Sequence, residues 1–318
     1  MRCSVVAELS CNHKGQFKKA VDLIKAAKES GADAVKVQMF RPDEMTLDCD
    51  KPHFTIGDGL WRGKKLYDLY VEAQTPIHWI PDLMDITHKL EMSFLASVYH
   101  PDMVDIAETF GIKFYKVSSF ELNYTDLLVC IAQTRKPVIL STGMASEDEI
   151  KRALDVITQF GSRIAILKCT SEYPASLSDM NLITIVDMVK KFGVPVGLSD
   201  HTRGIIAPMV AVSYGACIIE KHLTLDKDTL DGDFSVSPNK FAKMVKMVKA
   251  VENSVGDVKY GGNRHFRRSA VAIDAINEGD PFTRHNTGFF RTAVEGNTVI
   301  SEIAEKNYEN NFENYKLY

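Results

Sequence analysis

Short apolar runs rich in β-branched residues alternate with longer amphipathic stretches over roughly the first 250 residues, the usual span of a barrel domain. The short runs are VVAELS from Val5, ADAVKVQMF from Ala32, SFLASVY from Ser93, FYKVSSF from Phe114, PVILSTG from Pro137, RIAILKCT from Arg163, VPVGLSD from Val194 and CIIEKHLT from Cys217. Between them lie stretches of helical period such as FKKAVDLIKAAKESG, DMVDIAETFG, SEDEIKRALDVITQFG and NLITIVDMVKKFG. Gly31, Gly111, Gly161 and Gly193 close these stretches, as glycine does where a helix ends in a left-handed residue. Strands that are apolar almost throughout are covered on both faces, which means parallel sheet. Eight such strand–helix units predict an α/β fold, a (β/α)8 TIM barrel over residues 1–256. The alternative is a doubly wound open sheet. That fold usually carries a glycine-rich nucleotide turn after its first strand, and SCNHKG lacks the G-x-G-x-x-G spacing.

Two segments break the alternation. Residues 43–76, after the second strand, are too long and too aromatic for a plain connector. An insertion at a strand's C-terminal end lies over a barrel's active site, so this one is expected to cover substrate. From residue 257 the texture changes to a basic, glycine-containing linker (257–266), followed by a small domain over 267–318 with short strands and a turn at Glu278-Gly279-Asp280. A unit that small is marginal alone.

Composition narrows the function class. With 38 Lys+Arg against 42 Asp+Glu, the net charge of −4 excludes the basic excess of a dedicated nucleic-acid binder. No apolar run reaches the ~18–20 residues that cross a bilayer, and Glu8 interrupts any signal-peptide core. Six scattered cysteines without a CxxC read as reduced thiols of a cytoplasmic protein. No nucleic-acid or membrane partner is expected.

Candidate chemistry gathers at the strand ends, where barrel enzymes place their sites. Those ends carry Glu8; Lys36 and Gln38; Ser97; Lys116, Ser119 and Glu121; Ser141 and Thr142; Lys168, Ser171 and Tyr173; Ser199 and His201; and Glu220, Lys221 and His222. Burying so many polar groups without a ligand would be costly. His201 and His222 end neighbouring strands about 4.8 Å apart, close enough to share one ion, with Glu220 beside them. Lys116 among the serines at 97, 119, 141 and 199 suits a phosphate, since hydroxyls and a fixed ammonium are what that anion needs. A Schiff-base lysine is the alternative.

These residues resemble the sialic acid synthase family along essentially the whole chain. The motifs are Ala7-Glu8 with Asn12-His13-Lys14-Gly15, Gly31-Ala32-Asp33-Ala34-Val35-Lys36 with Gln38, Tyr115-Lys116 with Ser119 and Glu121, Ser141-Thr142-Gly143-Met144, Ser199-Asp200-His201 and Glu220-Lys221-His222. Within the family, TLDCDKPHF, GLWRGKKLYDLYVEAQTP and LKCTSEYP look like the pseudaminic acid branch. The C-terminal segment resembles the family's antifreeze-like (SAF) domain.

The resemblance implies a transferase that condenses phosphoenolpyruvate with an acetamido-sugar aldehyde, a 2,4-diacetamido-2,4,6-trideoxy-hexose in that branch. The alternatives are an N-acetylneuraminate or legionaminate synthase and, more distantly, a silent sugar-binding protein. It also implies a divalent metal on His201 and His222, manganese or else cobalt or magnesium. Phosphoenolpyruvate would lie on Lys116, Ser97, Ser119, Ser141 and Ser199, with Ser171 nearby. The sugar would face Gln38, Glu121, Tyr173 and Asp233. Lys36 and Glu8 would support the reacting centre, with Glu121 moving a proton at the aldehyde and Glu8 handling the attacking water. Arg291 would reach a partner's site in a domain-exchanged homodimer, although Thr292-Ala293 follow it where the family commonly has Pro-Gly.

Overall fold

The computed structural model describes residues 3–262, 266 and 268–291. The chain divides into two units, Met1–Gly256 and Asp257–Tyr318.

The first unit is a closed barrel of eight parallel strands in sequence order. They are β1 (Ser4–Glu8), β2 (Ala34–Met39), β3 (Ser93–Val98), β4 (Tyr115–Val117), β5 (Val138–Ser141), β6 (Ile164–Cys169), β7 (Val196–Asp200) and β8 (Ile218–His222). The helices are α1 (Phe17–Glu29), α2 (Pro42–Met45), α3 (Leu66–Ala73), α4 (Ile80–Lys89), α5 (Pro101–Phe110), α6 (Thr125–Gln133), α7 (Glu147–Thr158), α8 (Thr184–Phe192), α9 (Ile206–Ser213) and α10 (Pro238–Val255). The TIM barrel expected from the strand count is present. Closure brings β8 onto β1, pairing Val6 with Glu220 and Glu8 with His222.

Helix α7 shows how local sequence sets the outer layer. The Ser146 hydroxyl accepts from the Glu149 N–H at 3.3 Å, and the Glu149 carboxylate accepts the Ser146 N–H at 2.7 Å. This reciprocal cap satisfies two of the helix's orphan donors. Ile150, Ala153, Leu154 and Ile157 then recur at helical spacing and are buried against the sheet. Helices α5 and α8 stop at Gly111 and Gly193, where φ is +75° and +63°. Only glycine enters that region at no steric cost.

The pleat sorts the strand residues into two sets. Outward residues such as Val5, Val35, Phe94, Leu140, Leu198 and Ile219 join the main core beneath the helices. Inward residues Val6, Ala34 and Leu95, with Phe114, Ile139 and Ile218, plug the barrel's N-terminal end. Two residues further along the same inward faces lie Glu8, Lys36, Ser97, Lys116, Ser141 and Glu220. The barrel interior is thus apolar below and charged above. At Gly197 a Cβ would fall 2.4 Å from the Ile218 carbonyl and 2.6 Å from Leu167, so glycine is what lets Leu167 fill the barrel there.

Described by itself, the second unit holds an antiparallel pair, β9 (Arg268–Ala272) and β10 (Thr287–Arg291), with the expected turn at Glu278-Gly279. Arg267, the pair Thr292-Ala293 and the rest of the SAF segment lie outside the described residues.

Candidate active site

A cavity of about 420 Å³ opens at the C-terminal ends of the strands. It is lined by Lys36 and Gln38 from β2, Lys116 from β4 and Ser119 and Glu121 just after it, and Ser141 from β5. Ser171 and Tyr173 after β6, Ser199 from β7, His201 directly after it, and Glu220 and His222 from β8 complete that rim. The insertion after β2 adds Met45, Trp61, Leu69, Tyr70 and Ala73, so residues 43–76 do cover the site.

One half of the floor is a closed ionic network. Lys36 Nζ lies 2.6 Å from Glu8 and 3.5 Å from Glu220, and donates to Ser97 Oγ at 2.9 Å. Burial pulls the Lys36 pKa down, but Glu220 and Glu8 outweigh it and hold it above the ordinary lysine value. Glu220 also accepts from Ser199 Oγ at 3.1 Å. Burial opposes its ionisation, yet Lys36 and Lys116 keep its pKa below the usual carboxylate range.

The opposite half is differently provisioned. Lys116 donates to Ser141 Oγ at 2.7 Å and to the Val117 carbonyl at 2.9 Å, both neutral acceptors. Burial holds its pKa below the lysine value, and Glu220 offsets this only in part. Beside it the Gly143 N–H donates to Ser119 Oγ at 3.0 Å. A Cβ on Gly143 would fall 2.2 Å from Ser171 Oγ and 2.9 Å from Ser119 Oγ, so the hydroxyl cradle exists only because residue 143 is glycine. A buried, under-compensated cation ringed by hydroxyls is a preformed anion site. Glu121 stands across from it, and burial raises its pKa although the Ser118 hydroxyl donates to it.

The histidines converge as expected, with ring centroids 5.3 Å apart. His201 Nδ1 lies 3.0 Å from the Thr170 carbonyl, which can only accept, so Nδ1 carries a proton and, in the neutral ring, Nε2 keeps its lone pair. His222 Nδ1 lies 3.3 Å from the buried carboxylate of Asp231. An imidazole anchored through Nδ1 to a carbonyl, as His201 is, presents Nε2 to a metal, and His222 sets its Nδ1 toward a carboxylate without a formed hydrogen bond. Among the described residues no group of three or more His, Cys, Asp or Glu is placed to hold a metal, so His201 and His222 would be the two protein ligands.

Three expected site residues of the barrel do not line the cavity. Glu8 is fully buried, held beneath Lys36 and accepting the Ser10 N–H at 2.7 Å, so of the two carboxylates on Lys36 it is Glu220 that meets the cavity. Ser97 is engaged with Lys36 in the same way. Asp233 does not line the cavity; its carboxylate takes Arg203 at 3.0 Å and 2.5 Å, and its neighbour Asp231 faces the site instead. Arg291 ends β10 in the second unit. Lys221, counted with the rim by position, points outward and bonds Asp200 at 2.8 Å, and Asp200 in turn accepts the Thr202 N–H at 2.9 Å. This pair ties down the backbone just beyond His201. Sequence reasoning missed Asp231, Phe234 and Trp61, which sit in loops with no strand-end position to mark them.

A (β/α)8 barrel that gathers a buried cation ringed by hydroxyls, two imidazoles and a buried acid at its strand ends has the layout of a barrel enzyme's active site. Residues 23–260 match the NeuB family, and the chain belongs to it, the family of the sialic acid synthases. The pseudaminic acid synthase of Campylobacter jejuni is 40% identical over 291 residues, covering 89% of this chain and 85% of that one. The N,N'-diacetyllegionaminic acid synthase of the same organism is 31% identical over 323 residues, covering 96% of each. Among solved structures, the N-acetylneuraminic acid synthetase of Leptospira borgpetersenii, in complex with citrate, superposes with a TM-score of 0.75 at 28% identity, covering 83% of this chain and 88% of that one.

Proposed function

We propose that the chain condenses phosphoenolpyruvate with a 2,4-diacetamido-2,4,6-trideoxy-hexose and water, releasing a nine-carbon 2-keto sugar acid and phosphate, as a pseudaminic acid synthase does. The observation that carries this reading is Lys116, a buried ammonium with only neutral partners beside the Ser119, Ser141 and Ser171 hydroxyls. The 40% identity to a pseudaminic acid synthase supports the choice of sugar.

Lys116 and the hydroxyls hold the phosphate and orient C3 of phosphoenolpyruvate toward the aldehyde carbon. As the C3–C bond forms, the aldehyde oxygen takes up a proton, and Glu121 is its donor because burial keeps its carboxyl protonated to higher pH. Water adds to the positive charge left at C2 on the side of Glu220 and gives up one proton to solvent; the tetrahedral intermediate then collapses to the ketone, its hydroxyl proton passing to the phosphate that leaves with its bridging oxygen by C–O cleavage. His201 and His222 would hold a divalent ion, manganese or else cobalt or magnesium, which supplies Lewis-acid polarisation at the aldehyde oxygen. The same reading includes a domain-exchanged homodimer in which Arg291 contacts an N-acetyl group in the partner's site, and a cytoplasmic location, in keeping with six free thiols.

The test is phosphate release from phosphoenolpyruvate labelled in the bridging oxygen, with 2,4-diacetamido sugars of the pseudaminate and legionaminate configurations and with N-acetylmannosamine. The expected result is turnover of the pseudaminate precursor with label in phosphate, abolished by chelation and restored by manganese. Label retained in the keto acid overturns the mechanism. A borohydride-trapped pyruvate adduct on Lys116 would establish the aldolase alternative instead.

A further inference from the structure

The motif Asn12-His13-Lys14-Gly15 follows β1, and none of its residues lines the cavity. Asn12 and His13 are nonetheless buried. His13 Nε2 lies 3.1 Å from Thr75 Oγ1, near the end of the insertion, and its ring stands edge-on to Trp79. Asn12 instead engages residues 223–236, the loop after β8. That loop is closed at its neck, where the Val236 N–H donates to the His222 carbonyl at 2.9 Å and the Thr224 N–H to the Val236 carbonyl at 3.0 Å. Asn12 pins it at three points. Its Nδ2 donates to the Leu223 carbonyl at 2.9 Å and to Ser235 Oγ at 3.0 Å, and its Oδ1 accepts from Thr229 Oγ1 at 2.6 Å. Both N–H groups and the oxygen are used. Aspartate lacks the donors, serine has only one, and glutamine is a methylene too long.

Ser235 passes the restraint on. Its hydroxyl donates to the Asp231 carbonyl at 2.6 Å, and the Asp231 carboxylate lies 3.3 Å from His222 Nδ1. That last contact is short of a formed hydrogen bond, so small displacements of the loop decide whether it closes. Lys227 Nζ donates to the Gly232 and Ser235 carbonyls within the loop, and Ser10 and Cys11 also face the Asp231 carboxylate. Lys14 reaches Asp226 at 3.4 Å and Asp228 at 3.1 Å, but these pairs are solvent-exposed and hold little. We propose that Asn12 is a positioning residue for His222: by seating the 223–236 loop it sets where Asp231 stands behind that imidazole. This rests on the proposed metal at His201 and His222 and adds to it a residue outside the cavity. A carboxylate behind a ligating histidine is worth about 10–100-fold in metal affinity, and Asn12, one step removed, should be worth about tenfold.

Manganese binding to the substrate-free enzyme, followed by the electron paramagnetic resonance of free Mn2+, gives a Kd without turnover. Asn12→Ala should raise that Kd about tenfold. Phosphoenolpyruvate Kd of the metal-free enzyme, by calorimetry, should not move, because Lys116 and its hydroxyls stand on and after β4, β5 and β6. Asp231→Asn should also weaken manganese binding, and in that background Asn12→Ala should change the Kd by no more than about twofold, because both act through one contact. If Asn12→Ala fails to fold by thermal melting, Thr229→Val decides in the same cycle, since it removes only the hydroxyl that seats Asn12 Oδ1. An unchanged manganese Kd in the deciding variant or in Asp231→Asn overturns the assignment. So do additive effects in the double variant, or a phosphoenolpyruvate Kd that rises as much as that of manganese. Wild-type enzyme that binds no manganese overturns the metal reading of the histidines itself, and the positioning role with it.

Discussion

Lys36 and Lys116 reach the same cavity from β2 and β4, both almost wholly buried, yet their surroundings are opposite. Lys36 stands between two carboxylates, and its pKa is held above the lysine value. Lys116 has a hydroxyl and a carbonyl, and burial holds its pKa below that value. A buried cation that is already paired belongs to the scaffold, because the protein itself has neutralised it. A buried cation with too little counter-charge is a site held in reserve, stabilised further when an anionic ligand arrives. The two lysines therefore separate architecture from substrate binding within one cavity.

Removing the paired lysine should do the most damage. Lys36→Met leaves Glu8 and Glu220 facing each other without their cation, and loss of one partner of a buried pair costs about 3–5 kcal/mol. Urea unfolding should show that loss together with loss of turnover, and adding Glu8→Gln should recover part of the stability but not the activity. Wild-type stability of the single variant would dissolve the contrast between the lysines.

Glu121 extends the comparison to an acid. Glu121→Gln should lower kcat by about 10²–10⁴-fold, the usual contribution of a positioned proton donor. Because burial raises its pKa, the working protonated form persists to higher pH than for an ordinary glutamate and is lost as pH rises through the raised value. The wild-type rate should therefore fall on that alkaline limb, and the limb should be missing in Glu121→Gln. A variant that retains it assigns the titration to another group.

Lys116→Met should behave in the opposite sense to Lys36→Met in stability. The folded state no longer carries an under-compensated charge, so its unfolding free energy should equal or exceed that of wild type. The phosphoenolpyruvate KM should rise by about 10–100-fold, the worth of one charge-assisted hydrogen bond. A destabilised variant with unchanged KM would make Lys116 structural too. Gly143→Ala should have the smallest effect. Its methyl would press on Ser171 and Ser119, and the phosphoenolpyruvate KM should rise about tenfold, as for one displaced neutral hydrogen bond, with the sugar KM unmoved.

Much of this was legible in the residues alone. Period-2 and period-3.6 patterning reflects which faces are buried, so the eight strands, their order and the barrel class follow from local sequence. Strand-end position likewise picked out Lys36, Lys116, Ser141, Ser199, His201 and His222, because a barrel delivers its strand ends to one rim. Position without pleat parity was too coarse at Lys221, whose side chain faces Asp200 beneath the helices rather than the cavity.

What tertiary structure alone decided is which polar groups neutralise one another. Glu8 and Lys36 are 28 residues apart in sequence, and Glu220 arrives only when β8 closes onto β1, so no local pattern says that Lys36 is paired and Lys116 is not. The same holds for Asp231 behind His222, for Asp233 turned to Arg203, and for the indole of Trp61 on the carbonyl of Leu230, more than 160 residues away. Periodicity records burial, which each residue carries in its own chemistry. Compensation of buried charge and shape of a cavity wall are properties of pairs brought together by barrel closure, and they exist only once the chain has folded.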